Sequence, residues 1–207
     1  MSETVIQVTS LGKRIKGKTI LEDISFEINQ GDCVALIGPN GAGKTVLMSC
    51  ILGDKKPSSG QVLIDGKAGK AKNKIAVLLQ ENTIPNSLKV EELIAFFQSI
   101  SDNPLTNQEV QELLQFKEDQ YQQFADKLSG GQRRLLAFVL CLIDKPKILF
   151  LDEPTAGMDT STRQRFWEIV NDLKKSGVTV LYSSHLPENF KKFAARISVE
   201  TSSIQYE

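Results

Sequence analysis

The stretch Gly38-Pro39-Asn40-Gly41-Ala42-Gly43-Lys44-Thr45 constrains the fold of this chain more than any other. It fits the pattern G-x-x-x-x-G-K-[ST], and the apolar run Cys33 to Ile37 leads into it. Glycines let the backbone turn so that successive N–H groups point inward at one phosphate. The apolar run reads as a strand covered on both faces. The residues from Lys44 to Leu52, closed by Gly53, read as a helix. Strand, glycine turn and helix in that order predict an α/β core built on a mostly parallel sheet. In such a loop Lys44 supplies a point charge for β- and γ-phosphates, and Thr45 a hydroxyl for Mg²⁺. The helix start adds its positive end.

Other segments extend this core. Ile24, Phe26 and Ile28 alternate with polar residues, as a half-buried strand does. Gly60 to Ile64 followed by Asp65-Gly66 reads as a strand and tight turn. Ile75 to Leu79 reads as a buried strand ending at Gln80, Ile148 to Leu151 as another, and Val178 to Leu181 as a third. Phe166, Ile169, Val170 and Leu173 mark a helix. Between about 82 and 143 the strand signals vanish. Leu93, Phe96, Phe97 and Ile100 recur at helical spacing, with the two phenylalanines expected in the interior of a helical lobe. Thr106 with Glu109, and Ser129 with Gln132, have the capping-box form ahead of apolar helical stretches. The expected organisation is one domain: residues 1–81 and 144–207 form the core, including an antiparallel β subdomain, and an all-helical subdomain at 82–143 is inserted into it.

Composition narrows the class. The 207 residues carry 25 Lys plus Arg and 25 Asp plus Glu, so the charges cancel, and nothing suggests nucleic acid as a partner. Lys55, Lys56, Lys67, Lys70, Lys72 and Lys74 read as a solvated face. Cys33, Cys50 and Cys141 are far apart in apolar surroundings, which predicts buried reduced thiols. The longest apolar run, Leu135 to Ile143, is well short of the ~18 residues of a spanning helix. Met1-Ser2-Glu3-Thr4 lacks the start of a signal peptide, so the expected location is cytoplasmic.

Two further motifs carry chemistry. The strand Ile148-Leu149-Phe150-Leu151 delivers Asp152-Glu153 to its carboxyl end, where ligands bind in open α/β sheets. Asp152 there suits Mg²⁺ through the metal's water shell. Glu153, beside a γ-phosphate, can take a proton from attacking water. In Leu128-Ser129-Gly130-Gly131-Gln132 the serine caps a helix whose first residues are glycines, leaving N–H groups unobstructed. That is a second anion site.

With these residues assembled, the chain resembles the nucleotide-binding subunits of ATP-binding cassette (ABC) transporters. Gly38–Thr45 matches the family's Walker A motif, and Ile148–Glu153 its Walker B motif with the catalytic glutamate. Gln80 matches the Q-loop glutamine, which implies a further Mg²⁺ ligand beside Thr45 and Asp152. Leu128–Gln132 matches the signature, Ala156-Gly157-Met158-Asp159 the D-loop, and His185 the switch histidine. The resemblance implies ATP and Mg²⁺ as cofactors and ATP hydrolysis by Glu153 and His185. It also implies a head-to-tail dimer with a second ATP-binding subunit, in which the signature of one chain closes over the ATP of the other. An integral membrane transporter subunit would dock near Gln80 and the helical subdomain, placing the chain on the inner face of the cell membrane. Three positions depart from the family pattern. Ile15 aligns with the aromatic that stacks on adenine, Val46 with a second hydroxyl residue, and Leu186 with an acidic one. Pro154 to Asp159 with Phe166-Trp167-Glu168 looks most like bacterial drug- and peptide-export systems. A haem-export subunit, or a single-cassette scaffold or assembly factor, is the alternative.

Overall fold

The computed structural model describes residues 3–67, 75–80, 84–85 and 87–184, together with the backbone of two strands at 195–200 and 203–206. His185 and Leu186, and Lys70, Lys72 and Lys74 of the lysine-rich patch, lie outside the described residues. The first part of the chain runs through β1 (Thr4–Ile15), β2 (Lys18–Asn29), β3 (Cys33–Ile37), α1 (Lys44–Ile51), β4 (Ser59–Ile64) and β5 (Ile75–Leu78). Then come α2 (Val90–Ser99), α3 (Asn107–Leu114), α4 (Glu118–Tyr121) and α5 (Gly130–Leu142). The rest is β6 (Ile148–Leu151), α6 (Thr160–Lys175), β7 (Thr179–Ser184), β8 (Ala195–Glu200) and β9 (Ser203–Tyr206). Between β5 and β6 the described residues hold helices and no strand.

Two sheets form among the described residues. An antiparallel one has the order β2-β1-β4, and a larger one the order β5-β6-β7-β3-β8-β9. In the larger sheet β5, β6, β7, β3 and β8 are mutually parallel, and β9 returns antiparallel on β8. Parallel neighbours end at the same edge, so the carboxyl ends of β3, β5, β6 and β7 lie together. The strand runs are continuously apolar because both faces are covered. Cys33, Ala35, Leu149, Leu151, Val180 and Tyr182 pack toward α2, α3, α5 and α6. Their neighbours Val34, Leu36, Ile148, Phe150 and Leu181 pack toward α1 and the antiparallel sheet. Consecutive residues of one strand thus serve two separate cores.

Two expectations need correction. β5 is not buried throughout: Ile75, Ala76 and Val77 are only half-buried, and Leu79 beyond its end is 49% exposed. Among the described residues it pairs only with β6, so it stands at the sheet edge, where a strand has fewer neighbours. On α2 the buried stripe is Val90, Leu93 and Ile94, with Phe97 half-buried beside them. Phe96 is 54% exposed and Ile100 65%. Both registers satisfy helical spacing and share Leu93 and Phe97; packing against α5 selects the one that begins at Val90.

Local signals elsewhere act as expected. Asp65 and Gly66 both have positive φ, 52° and 69°, and Lys67 pairs back onto Ile64, a tight turn of the primed kind. Thr106 Oγ1 accepts from the Glu109 N–H at 3.2 Å, closing the box at the start of α3. The three cysteines are free thiols, Cys33 and Cys50 buried and Cys141 partly so. Burial pushes the Cys33 and Cys141 thiols up to about 11.

Candidate nucleotide site

The glycine loop follows β3 and ends at Gly43, the residue that opens α1. Gly43 must be glycine for two reasons. Its φ is 97°, and a Cβ there would meet Leu21 Cδ2 at 2.9 Å and Ile20 Cγ2 at 3.2 Å. Having no side chain, it leaves the first turn of α1 without a side-chain cap, and that turn carries no acidic residue. The helix start therefore keeps its positive end for an anion.

Lys44 is buried, 7% exposed. Its Nζ donates to the carbonyls of Gly38 at 2.7 Å and Pro39 at 3.1 Å, and lies 4.0 Å from Glu153 Oε1. The ammonium is thereby held inside the loop, facing the carboxylate delivered by β6. Thr45 Oγ1 donates to Asp152 Oδ2 at 2.9 Å, joining α1 to the end of β6 across 107 residues of sequence.

Asp152 is buried, 3% exposed, and its second oxygen accepts from the hydroxyl of Ser183 on β7. Ser183 Oγ in turn accepts from the Glu153 N–H at 2.9 Å. Glu153 has a φ of 45°, an uncommon conformation for a residue with a side chain, and it turns the chain sharply at the strand end. The carboxylate of Asp152 and the hydroxyl of Thr45 are hard oxygen donors, of the type Mg²⁺ takes alongside substrate phosphates. No group of three or more His, Cys, Asp or Glu suited to a metal occurs among the described residues, so a metal here would rely on such mixed donors.

Around this edge lies a cavity of about 470 Å³. Asn40, Gly41, Gly43, Lys44, Thr45, Val46, Gln80, Asp152 and Glu153 line it, so residues from three separated segments converge. Gly38, Pro39 and Ala42 shape the loop from behind; the Ala42 N–H returns to the Pro39 carbonyl at 3.2 Å. Ile15 is not among the lining residues. It ends β1, pairs with Lys18 and is 36% exposed. Ile20 of β2 and Ala156 line the cavity instead.

The signature segment lies at the start of α5. Ser129 Oγ accepts from the Gln132 N–H at 3.2 Å, and the Ser129 N–H donates to Gln132 Oε1 at 3.1 Å. The box consumes the Gln132 N–H and leaves those of Gly130, which is exposed, and Gly131, which is buried, outside it. Gly131 has a second reason to be glycine. A Cβ there would lie 3.2 Å from Asp159 Oδ2 and 3.3 Å from Met158 Cα, so α5 rests directly on the turn before α6. Asp159 caps α6, accepting from the Ser161 hydroxyl at 2.6 Å, the Thr162 N–H at 3.0 Å and the Thr162 hydroxyl at 2.7 Å. These bonds, Ser161's foremost, hold its carboxyl well below the usual carboxylate range.

Ser183, Ile20 and Arg134 are absent from the sequence reading. Ser183 had one weak signal, a polar residue just past an apolar strand run, but nothing in the order of residues says which loop it meets. Arg134 follows the signature directly and is treated below.

The sequence model of the ABC transporter family matches residues 21–156, which takes in the glycine loop, Gln80, the signature and Asp152-Glu153. The chain belongs to the ABC transporter family. This ABC cassette is 32% identical over 209 residues to a Nod factor export ATP-binding protein I of Ralstonia nicotianae, with 96% of the chain and 64% of that protein covered. The chain thus spans just under two thirds of that relative. It is also 32% identical to the linearmycin resistance ATP-binding protein LnrL of Bacillus subtilis, covering 94% of the chain and 66% of the relative. Its fold is similar to an ATP-binding cassette solved as a dimer in a post-hydrolysis state with ADP and phosphate. The TM-score is 0.82 at 20% identity, over 98% of this chain and 97% of that one. No described helix is long and apolar enough to cross a membrane.

Proposed function

We propose that this chain binds ATP with Mg²⁺ and hydrolyses it as the ATP-binding subunit of an export-type ABC transporter. The observation that carries the reading is the convergence of Lys44, Thr45, Asp152 and Glu153 at one sheet edge, with Lys44 Nζ 4.0 Å from Glu153 Oε1. The names of the relatives, Nod factor export and linearmycin resistance, support the direction of transport.

The loop N–H groups and the start of α1 take the phosphates, with Lys44 neutralising their charge. Mg²⁺ would be held by Thr45, Asp152 and Gln80 and would supply positive charge to the phosphate oxygens. Glu153 Oε accepts a proton from water, whose oxygen bonds to the γ-phosphorus; the bond from that phosphorus to the bridging oxygen breaks, and ADP leaves with the electron pair. His185 is assigned to the γ-phosphate on its sequence position. Ser129, Gly130, Gly131 and Gln132, with Leu128 behind them, close over ATP held by a second cassette, and Asp159 lines the same junction. The helical segment at 82–143 and the region of Gln80 face a membrane subunit, which keeps the chain at the inner face of the membrane. Adenine contact falls to Ile20 and Val46 more than to Ile15, because the first two line the cavity.

The test is Glu153→Gln. Turnover is expected to fall by about 10²-fold or more, the scale of a lost general base. ATP binding should persist, and an ATP-dependent dimer should accumulate on size exclusion. Hydrolysis near the wild-type rate removes Glu153 from this role. Capture from detergent extract of a multi-helix membrane protein separates transporter from free-standing scaffold.

A further inference from the structure

Strands β5 and β6 are parallel neighbours, so their last carbonyls leave the sheet side by side. Arg134, in the second turn of α5 and half-buried, reaches across both. Nη1 donates to the carbonyls of Leu79 at 2.5 Å and Gln80 at 3.2 Å. Nη2 donates to those of Asp152 at 2.9 Å and Glu153 at 3.4 Å, and Nε to that of Pro154 at 3.2 Å. A guanidinium is a rigid planar fork with five donors and no acceptor, so one side chain can serve two diverging loops. An ammonium, a single point on a flexible stem, cannot span them in the same way.

The Glu153 peptide is where this tie matters most. Its left-handed φ of 45° persists only where the surroundings hold it. Its N–H is held from the sheet by Ser183 Oγ, and its carbonyl is shared between the Ala156 N–H at 3.2 Å and, from the helix, Arg134 at 3.4 Å. The same guanidinium holds the carbonyl of Gln80, and it sits one turn from the cap formed by Ser129.

We propose that Arg134 is a positioning residue that links the signature end of α5 to both Gln80 and Glu153. A displacement of α5, such as a second cassette closing on Ser129 to Gln132 would impose, passes through one side chain to the residue that activates water and to the loop beside it. The kinetic part rests on the ATPase reading above; the structural part does not.

The test is made on the full chain with Arg134→Lys and Arg134→Gln, which keep a long polar side chain but lose the fork. Hydrogen exchange followed by mass spectrometry is expected to quicken by about fivefold or more in peptides covering 75–80 and 152–158 together, while β3 stays protected. In steady state, kcat should fall about 10- to 100-fold, the scale of a small misplacement of a reacting group, with KM for ATP within about twofold. Arg134→Lys should recover part of the loss relative to Arg134→Gln. Exchange that quickens in only one segment, in neither, or throughout the sheet overturns the proposal, as does an unchanged kcat in a hydrolysing chain. If the wild-type chain hydrolyses no ATP, the ATPase reading fails. Exchange then decides the tie alone: paired loosening sustains it and its absence overturns it.

Discussion

The two anion-binding ends of this molecule are built in opposite ways. The site at the glycine loop is assembled from afar. Thr45 reaches Asp152, Asp152 reaches Ser183, and Ser183 returns to Glu153, so residues from α1, β6 and β7 close one buried network. The signature end of α5 is made locally: Ser129 and Gln132, three residues apart, satisfy each other at the surface. The first site exists only when the whole sheet is formed. The second needs one helix turn, with Ser129 and Gly130 exposed. A buried network transmits damage into the fold, whereas an exposed cap confines it.

Ser183→Ala breaks the first region most severely. It removes the Ser183 hydroxyl's bonds to a buried carboxylate oxygen of Asp152 and to the Glu153 N–H. Stability is expected to drop by about 3 kcal/mol, the upper range for orphaned buried groups, read as a shift in urea midpoint at unchanged slope. A loss below about 1 kcal/mol would mean the network is looser than its geometry, since that is the scale of an ordinary hydrogen bond.

Ser129→Ala tests the second region. The expected cost is about 1 kcal/mol, that of a lost helix cap. ATP binding by the monomer should stay unchanged while ATP-dependent dimerisation weakens. A variant that loses ATP binding as a monomer would show that the two ends are not separable.

The smallest effect concerns the thiols of Cys33 on β3 and Cys141 on α5. Cys33 and Cys141 sit at about 11 in the fold against an ordinary 9.0. A raised thiol pKa means the unfolded chain releases its proton first, so their contribution is intact below about pH 9 and is lost as pH rises toward 11. Native-state alkylation at pH 8 should accordingly be slow at both and complete on unfolding. Rapid labelling of Cys33 without unfolding would place it outside the core.

Much of the architecture follows from order along the chain. Cys33 to Ile37, the glycine loop, and the boxes at Thr106 and Ser129 are local statements, and local hydrogen bonding and periodicity realise them as read. Failures cluster where periodicity is ambiguous or neighbours decide. On α2 the stripe read through Leu93, Phe96, Phe97 and Ile100 overlaps a second one at helical spacing, and contact with α5 buries the second and leaves Phe96 and Ile100 exposed. The half-burial of β5 depends on its place at the sheet edge, which no residue of β5 announces. Ile20 lines the cavity without any signal in its own segment, because strand pairing and not spacing brings its side chain there.

The sequence by itself determined the chemistry available: the anion loop, Lys44 and Thr45, the acidic pair at 152–153, and the capped glycine helix start. Each is a short motif whose geometry comes from neighbouring residues. Only the tertiary structure decided how these groups are held. Ser183 and Arg134 are an ordinary serine and arginine until parallel strands bring β5, β6 and β7 to one edge, where several carbonyls and one strained peptide need partners. Such partners are chosen by distance in space, and sequence spacing carries no record of that choice.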